Sequence, residues 1–280
     1  MKLAAWAAIV IATISATNIA YSATYITAGG GYLISSGAPS LTLNSSNARY
    51  APNVAGTSIV NLPNVNWKNS FNNGAEGFLA AGANITPAVR LEGEFLYQSF
   101  QRNVSGTYTW RQVNTIGGDL FANQPGNPIS NTHSTLNSYS LLANAYYDFD
   151  FQSRWKPFLG LGAGIGHLHA SGTTANNSLL INDLTSGFAV IAPTVARTPA
   201  LNGIVFVWQV KAGLSYAITP ALSLVGQYRF FRTSSYNINS GSITTNPNTT
   251  VATTFSTLSK SVSGLIINSF DLGLTYQFAT

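Results

Sequence analysis

The stretch KPFLGLGAGIGHLHA, from Lys156 to Ala170, places glycine at every second position from Gly160 to Gly166. A dinucleotide-binding loop needs the spacing G-x-G-x-x-G, and no glycine pair here has a third glycine three residues further on. A period of two is the period of a β-strand, whose side chains alternate between two faces. The stretch therefore predicts a strand with large apolar residues on one face and a nearly bare opposite face.

The composition argues against an ordinary soluble domain. The chain has 280 residues and no cysteine, with 45% hydrophobic but only 8% charged residues. A soluble domain carries roughly 25% charged residues. Disordered chains are poor in aromatic residues, whereas 12% of this chain is aromatic. The net charge of +5 comes from scattered residues, so no nucleic-acid partner is predicted.

The first residues predict a secretory signal peptide. Met1-Lys2 is a short basic region, and the apolar run from Leu3 to Ile14 is too short to span a bilayer. Small residues at Ala20 and Ser22 suit a cleavage site. Residues 1–22 are predicted to be removed on export, leaving 23–280 as a single barrel domain, and a buried N-terminal helix is the alternative.

Strand-like segments with period two recur eight times, at about 24–34, 75–85, 88–99, 138–149, 156–169, 204–217, 221–232 and 268–278. Short turns between them alternate with long polar segments at about 35–74, 100–137, 170–203 and 233–267. Outer-membrane barrels combine an even strand number with short periplasmic turns and longer extracellular loops. The sequence therefore predicts an all-β fold, an eight-stranded antiparallel up-and-down transmembrane β-barrel with four long extracellular loops.

One face of these strands is predicted to meet lipid. Its apolar stripes carry aromatic residues near both ends, as expected for rings at the two membrane interfaces. The predicted interface aromatics are Tyr97, Tyr139, Tyr147, Phe149, Trp155, Trp208, Tyr216, Tyr228, Phe230, Tyr276 and Phe278.

The opposite face carries a small set of charges, namely Arg90, Glu92, Glu94, Asp148, Lys211, Arg229 and Asp271. An eight-stranded barrel is just wide enough for side chains to fill, and unpaired buried charges are costly. We expect Arg90, Lys211 and Arg229 to pair with Glu92, Glu94 and Asp271 in a solid polar core. The bare face of Gly160, Gly162, Gly164 and Gly166 is predicted to point inward and make room for these long side chains.

Three segments carry a family resemblance: NAYYDF with the following KPFLGLGAGIG, then VKAGLSYAITPALSLVGQYRFF, and the closing DLGLTYQF. They resemble the opacity-protein and surface-antigen superfamily of eight-stranded outer-membrane β-barrels. The resemblance implies a multi-pass barrel in the Gram-negative outer membrane, with outer-membrane lipid and lipopolysaccharide around it. It also implies that the barrel-assembly machinery reads the aromatic at the end of the last strand, here Phe278.

The sequence is compatible with three functions. The first is a surface protein with an adhesion, surface-antigen or envelope-structural role, whose loops bind a host or environmental ligand, because long loops exceed what hairpins need. The second is a narrow porin-like channel with selectivity set by Arg90, Lys211 and Arg229. The third is a lipid A deacylase-like hydrolase, since His169, Ser171 and Asp183 resemble the His-x-Ser and downstream acid of that class.

No enzyme activity, cofactor or metal site is predicted. His167 and His169 share a face, but no third metal ligand is evident beside them. A soluble lipocalin-like barrel shares the strand number, but its outer face must meet water, which the charge deficit disfavours.

Overall fold

The computed structural model describes residues 23–35, 41–43, 49–50, 58–61, 65–108, 111–114, 127–183, 188–197, 200–238, 242–245, 253–256 and 260–278. The predicted signal peptide, 1–22, lies outside these residues. Within the part of the chain that the structure describes, no helix is long and apolar enough to cross a bilayer.

Eight antiparallel strands form a closed ring, which confirms the predicted barrel. They are β1 (Thr24–Ser35), β2 (Val65–Asn84), β3 (Val89–Tyr108), β4 (Asn127–Asp148), β5 (Trp155–Ala170), β6 (Leu201–Ala217), β7 (Leu222–Thr233) and β8 (Ile266–Gln277). Each strand pairs with the next along the chain, and β8 pairs with β1 to close the ring.

The strands are staggered around the ring. A row of register partners that starts at Tyr25 on β1 runs through every strand and reaches Ile267 on β8. Ile267 pairs with Ser35, so the row returns to β1 ten residues beyond its starting point. Such a stagger goes with strands that tilt relative to the barrel axis. An inward residue therefore lies closer to the loop end on β8 than its row partner on β2.

Tight turns join the strands at one end. The sequence ITPA occurs at 85–88 and again at 218–221, where proline fixes one φ angle of the turn. In both turns the threonine hydroxyl accepts a hydrogen bond from the backbone N–H three residues on, at 2.9 Å for Thr86 and 3.0 Å for Thr219. The same short sequence therefore makes the same self-capped turn twice.

Three strands are longer than the sequence predicted. β2 begins at Val65 and β3 continues to Tyr108, so both enter the segments predicted as loops at 35–74 and 100–137, as does β4 from Asn127. Gly74 lies at a bulge between β2 and β3, where a Cβ would collide with the carbonyl oxygen of Ser99. Backbone pairing thus continues beyond the apolar stripes.

Short strands outside the ring form two further sheets at the loop end. Thr174–Asp183 and Phe188–Arg197 pair with each other, and the sheet continues through Ser242–Thr245 and Thr253–Ser256. A three-stranded sheet joins Arg49–Tyr50, Ser58–Asn61 and Arg111–Asn114. Leu41–Leu43 pairs with β2, and Tyr236–Ile238 pairs with Leu201 and with Lys260–Val262. These strands add no member to the barrel ring.

Candidate functional site

The centre of the barrel interior holds an ion-paired cluster around Glu94. Arg229 Nη1 lies 2.6 Å from one oxygen of the Glu94 carboxylate, and Lys211 Nζ bonds the other. All three side chains are buried, and they come from β7, β3 and β6. The cluster therefore ties β3 to the neighbouring strands β6 and β7, which do not pair with it in the sheet.

Arg229 also binds two further carboxylates. Its Nε lies 3.1 Å from Asp271 and 3.3 Å from Glu76. Glu76 accepts hydrogen bonds from Ser269 Oγ at 2.7 Å and from Gln98 Nε2 at 2.8 Å. Because the guanidinium presents donors in several directions, one buried arginine organises three carboxylates.

Glu92 is bound mainly by neutral donors. It accepts hydrogen bonds from the hydroxyls of Tyr146 at 2.7 Å and Tyr25 at 3.3 Å, and from Asn144 Nδ2 at 3.1 Å. Lys211 Nζ lies 4.0 Å from its Oε1. Phenol and carboxamide groups thus complete the polar core where cations are too few.

Arg90 and Asp148 form a separate pair near the turns. Arg90 Nε lies 3.0 Å from the Asp148 carboxylate, and these two side chains remain 12% and 21% exposed. The guanidinium carbon lies 4.2 Å from the ring centre of Tyr146 and 4.9 Å from that of Phe158. The sequence predicts that Arg90 forms an ion pair with Glu92, Glu94 or Asp271. Its ion-pair partner is Asp148 instead, because the β3–β4 register brings Arg90 and the end of β4 together.

The glycine face of β5 points into the barrel and leaves space for side chains of β4. A Cβ on Gly160 would lie 2.5 Å from the Tyr146 ring, and one on Gly162 would collide with the Asn144 carboxamide. A Cβ on Gly166 would lie 2.9 Å from Ser140 Oγ, and one on Gly164 would meet the backbone of β4. The absent side chains thus allow Tyr146 and Asn144 to reach Glu92.

An apolar layer lies on the loop side of the charged cluster. Six inward side chains from six strands, none more than 3% exposed, make up this layer: Leu33, Phe100, Leu136, Leu168, Phe231 and Ile267. Apolar side chains that close a passage exclude water and ions. The ion pairs therefore lie on the turn side of this apolar layer.

Arg102 is buried beyond the apolar layer, above the level where the outward aromatic residues of β3 end at Tyr97. Burial lowers the pKa of the Arg102 guanidinium to about 10, and the nearby Tyr236 partly offsets this effect. Burial in turn raises the pKa of Tyr236 to about 12, with Arg102 acting in the opposite direction. The two buried groups therefore influence each other electrostatically at the loop end.

The outer face of the barrel is an exposed apolar belt. Leu161 is 66% exposed, Ile165 59% and Leu272 67%, which a water-facing barrel would not tolerate in a continuous band. The predicted interface aromatics lie on this face in two groups. Tyr147, Phe149, Trp155, Tyr216, Tyr276 and Phe278 lie near the turns, and Tyr97, Tyr139, Trp208, Tyr228 and Phe230 lie nearer the loops.

Several of these aromatic residues contact each other. Trp155 and Tyr216 have ring centres 4.5 Å apart, and Tyr97 and Tyr139 have theirs 5.0 Å apart. Such cross-strand pairs add stability beyond the area that they bury.

The three residues of the hydrolase hypothesis do not form a compact triad. His169 lies on the outer face at the end of β5, and Ser171 follows directly after that strand. Asp183 ends the strand that begins at Thr174, and ten residues of strand span about 30 Å. The backbone therefore carries Asp183 away from the other two residues.

No metal site emerges from the described residues, among which no three His, Cys, Asp or Glu side chains come together. The rings of His167 and His169 are stacked with centres 6.4 Å apart, and His167 Nε2 contacts Asn202 Oδ1 at 2.9 Å.

Glu76, Tyr25 and Tyr146 were missed by sequence reasoning. Glu76 has the same inward parity as Phe78 in the segment GAEGFLAAG, so a lone carboxylate in an apolar context was the available signal. The tyrosines resembled interface aromatics, and only their parity distinguishes them.

The chain matches a known protein family and is similar to several known proteins. The family model described as outer membrane protein beta-barrel domain matches residues 5–278. Outer membrane protein PagN of Salmonella typhimurium is 25% identical over 256 residues, covering 85% of this chain and 93% of PagN. Neisserial surface protein A has a TM-score of 0.43 at 15% identity, over 92% of this chain and 99% of that one. OprG of Pseudomonas aeruginosa has a TM-score of 0.42 at 11% identity, over 94% and 99%.

Proposed function

Because the chain belongs to the outer membrane protein beta-barrel domain family and lies in the Gram-negative outer membrane, we propose that it is a closed barrel that displays its extracellular strands to a partner outside the cell. The role is that of a surface adhesin or antigen. The filled interior is the observation that carries this proposal, since it leaves the extracellular segments as the surface that remains for function.

Three successive layers support the closed state. The Arg90–Asp148 pair lies nearest the turns, the cluster around Glu94 occupies the middle, and apolar side chains such as Phe231 and Leu168 follow toward the loops. An ion crossing this interior would have to separate buried ion pairs and then enter the apolar layer, and both steps are unfavourable.

The extracellular side is built for display. β2, β3 and β4 have 20, 20 and 22 residues, whereas about 9 to 11 residues suffice to cross the hydrocarbon layer. Their outer portions and the two additional sheets form paired backbone beyond the apolar belt. Ordered strands on a rigid scaffold provide a defined surface for a partner at little cost in conformational entropy.

A narrow channel is the second candidate, favoured by one observation. A cavity of about 10 Å³ lies near the turns and is lined by Arg90, Glu92 and Lys211, among others. That volume holds about one water molecule. Widening along this path is what a channel function would require.

Conductance separates the two candidates. The refolded mature chain, shown to be folded by its heat-dependent shift on a gel, is placed in a planar bilayer. We expect no discrete openings from the closed barrel. Reproducible openings whose ion preference changes in Lys211→Met or Arg90→Gln would establish the channel instead.

Adherence tests the display function. The full chain is expressed on the surface of a non-adherent Gram-negative host, beside a variant in which residues 172–199 are replaced by a short turn. We expect attachment to epithelial cells or matrix-coated plates to fall to the level of the host without the protein. A variant with the exposed periplasmic residue Phe151 changed to alanine should adhere like the native chain. Equal attachment of the shortened and native chains, at equal surface levels, would contradict a role for this segment.

A further inference from the structure

A cluster of polar side chains lies on the outside of the barrel at the loop end of the apolar belt. We call it the rim cluster and define it as Asn137, His167, His169 and Asn202. Asn137, His169 and Asn202 form one lateral row across β4, β5 and β6, and His167 lies one outward position nearer the turns. His169 and Asn202 are exposed, and the other two are half-buried.

The hydrogen bonds of this cluster orient both carboxamides in the same sense. The hydroxyl of Tyr97 donates to Asn137 Oδ1 at 3.1 Å, and His167 Nε2 donates to Asn202 Oδ1 at 2.9 Å. Because the Oδ1 atom of each asparagine already accepts a hydrogen bond from a side chain of the barrel, its Nδ2 amide group can donate a hydrogen bond to a ligand. The exposed imidazole of His169 adds a ring N–H.

No carboxylate balances these donors among the residues whose side chains the structure describes. The described carboxylates lie inside the barrel, except for Asp150 at the opposite end. The rim cluster therefore presents donors and lacks negative charge, which complements a ligand that carries acceptors only. Phosphate is such a ligand.

The exposed apolar residues beside the rim cluster indicate which kind of molecule carries that phosphate. Directly toward the turns, Ile204 is 77% exposed, and Ile165 and Phe206 are also exposed on the same face. A lipid in the outer leaflet places its acyl chains against such residues and its headgroup one level higher. The polar row thus meets the layer in which phosphorylated sugar headgroups lie.

We propose that the rim cluster binds a phosphate group of lipopolysaccharide in the outer leaflet, with the acyl chains against Ile165, Ile204 and Phe206. The two asparagine amides and the His169 ring supply the hydrogen bonds. This site is separate from the extracellular segments assigned to display, so either assignment can fail alone.

The test exchanges donors for acceptors without changing shape. Purified lipopolysaccharide and its dephosphorylated form are titrated onto the folded full chain in detergent, with EDTA present. The variant Asn137→Asp/Asn202→Asp replaces both amides by carboxylates, and Asn103→Asp is the matched control. Asn103 lies further along β3 and contacts His133 at 2.6 Å.

We expect the native chain and the control to prefer the phosphorylated lipid, and the double variant to bind it at least about tenfold more weakly, the size expected for losing hydrogen bonds to a charged group. His169→Gln should show a smaller loss. Equal binding of the two lipid forms by the native chain, or unchanged binding by the double variant, would overturn the proposal. The titration is repeated with Mg²⁺ in place of EDTA. Tighter binding by the double variant under this condition would also overturn the proposal, because a bridging cation would then connect the protein to the phosphate.

Discussion

The guanidinium of Arg229 and the carboxylate of Glu94 meet across the barrel interior, with Nη1 and Oε1 2.6 Å apart. Arg229 lies on β7 and Glu94 on β3, and these two strands are four places apart in the ring of eight, whichever way they are counted. The pair is therefore a brace between opposite walls that no backbone hydrogen bond connects.

Removing the Glu94 charge should destabilise the barrel strongly. Glu94→Gln leaves Lys211 and Arg229 without their shared partner, and breaking a buried pair in this way costs about 3 to 5 kcal/mol. Urea unfolding in lipid vesicles, followed by Trp fluorescence, measures the change. Asp150→Asn, at an exposed turn, should change the free energy of unfolding by less than about 0.5 kcal/mol.

A double variant refines this expectation. Glu94→Gln with Lys211→Met removes one of the stranded cations, so it should be more stable than the sum of the single changes. Additive losses would mean that Lys211 gains little from Glu94.

The inward glycines should tolerate no side chain. Gly162→Ala places a methyl group on the Asn144 carboxamide, so it should lower the free energy of unfolding by about 1 to 3 kcal/mol. Gly77→Ala is the matched control, because its new Cβ would meet only a carbonyl oxygen at 3.8 Å. Equal unfolding midpoints for the two variants would show that Asn144 moves aside at no cost.

Single cysteines can map the orientation, since the natural chain contains none. On intact cells a membrane-impermeant maleimide should label Ser263→Cys at the loop end. It should label Phe151→Cys, at the turn end, only after the outer membrane is permeabilised. Leu161→Cys, in the middle of the belt, should stay unlabelled in both cases because lipid covers it. Labelling of Phe151→Cys on intact cells would reverse the assigned orientation.

The apolar layer should be what keeps the barrel tight. Leu168→Ser with Phe231→Ser makes this layer wettable, so we expect the folded variant to show small openings in a planar bilayer that the native chain lacks. Ala163→Ser, which adds a hydroxyl on the outer face, is the control and should remain silent. A silent double variant would assign the seal to the ion pairs alone.

The strands of the barrel were predictable because their two faces meet different solvents. In β5 the side chains alternate between the lipid-facing residues Leu159, Leu161 and Ile165 and the inward-facing glycines. Both the strand and its orientation could therefore be predicted from this one stretch. Beyond the apolar belt, β2, β3 and β4 no longer alternate between apolar and inward-facing residues, but their backbones remain paired. The ends of these strands were therefore predicted about ten residues short.

The pairing of charges needed the register as well as the parity. Parity placed Arg90 on the inner face, but the register between β3 and β4 decides that it meets Asp148 and not Asp271. Inward leucines such as Leu168 could not be identified as a layer either, since residues far apart in sequence share a level only after the stagger is known. Glu76 was overlooked because its neighbours in the segment are small and apolar.

The seam between β1 and β8 can close only after the last strand of the chain is available to pair with the first. Thr27 and Thr275 bond side chain to side chain at 2.9 Å across a separation of 248 residues. Until the last strand arrives, β1 and β7 each expose an unpaired edge, which is prone to wrong pairing and aggregation. Contacts this distant in sequence also form slowly. A chain cut before Ile266 would therefore be left with two open strand edges. The protein can act at the cell surface only if these edges are kept from wrong pairing until the final strand has been added.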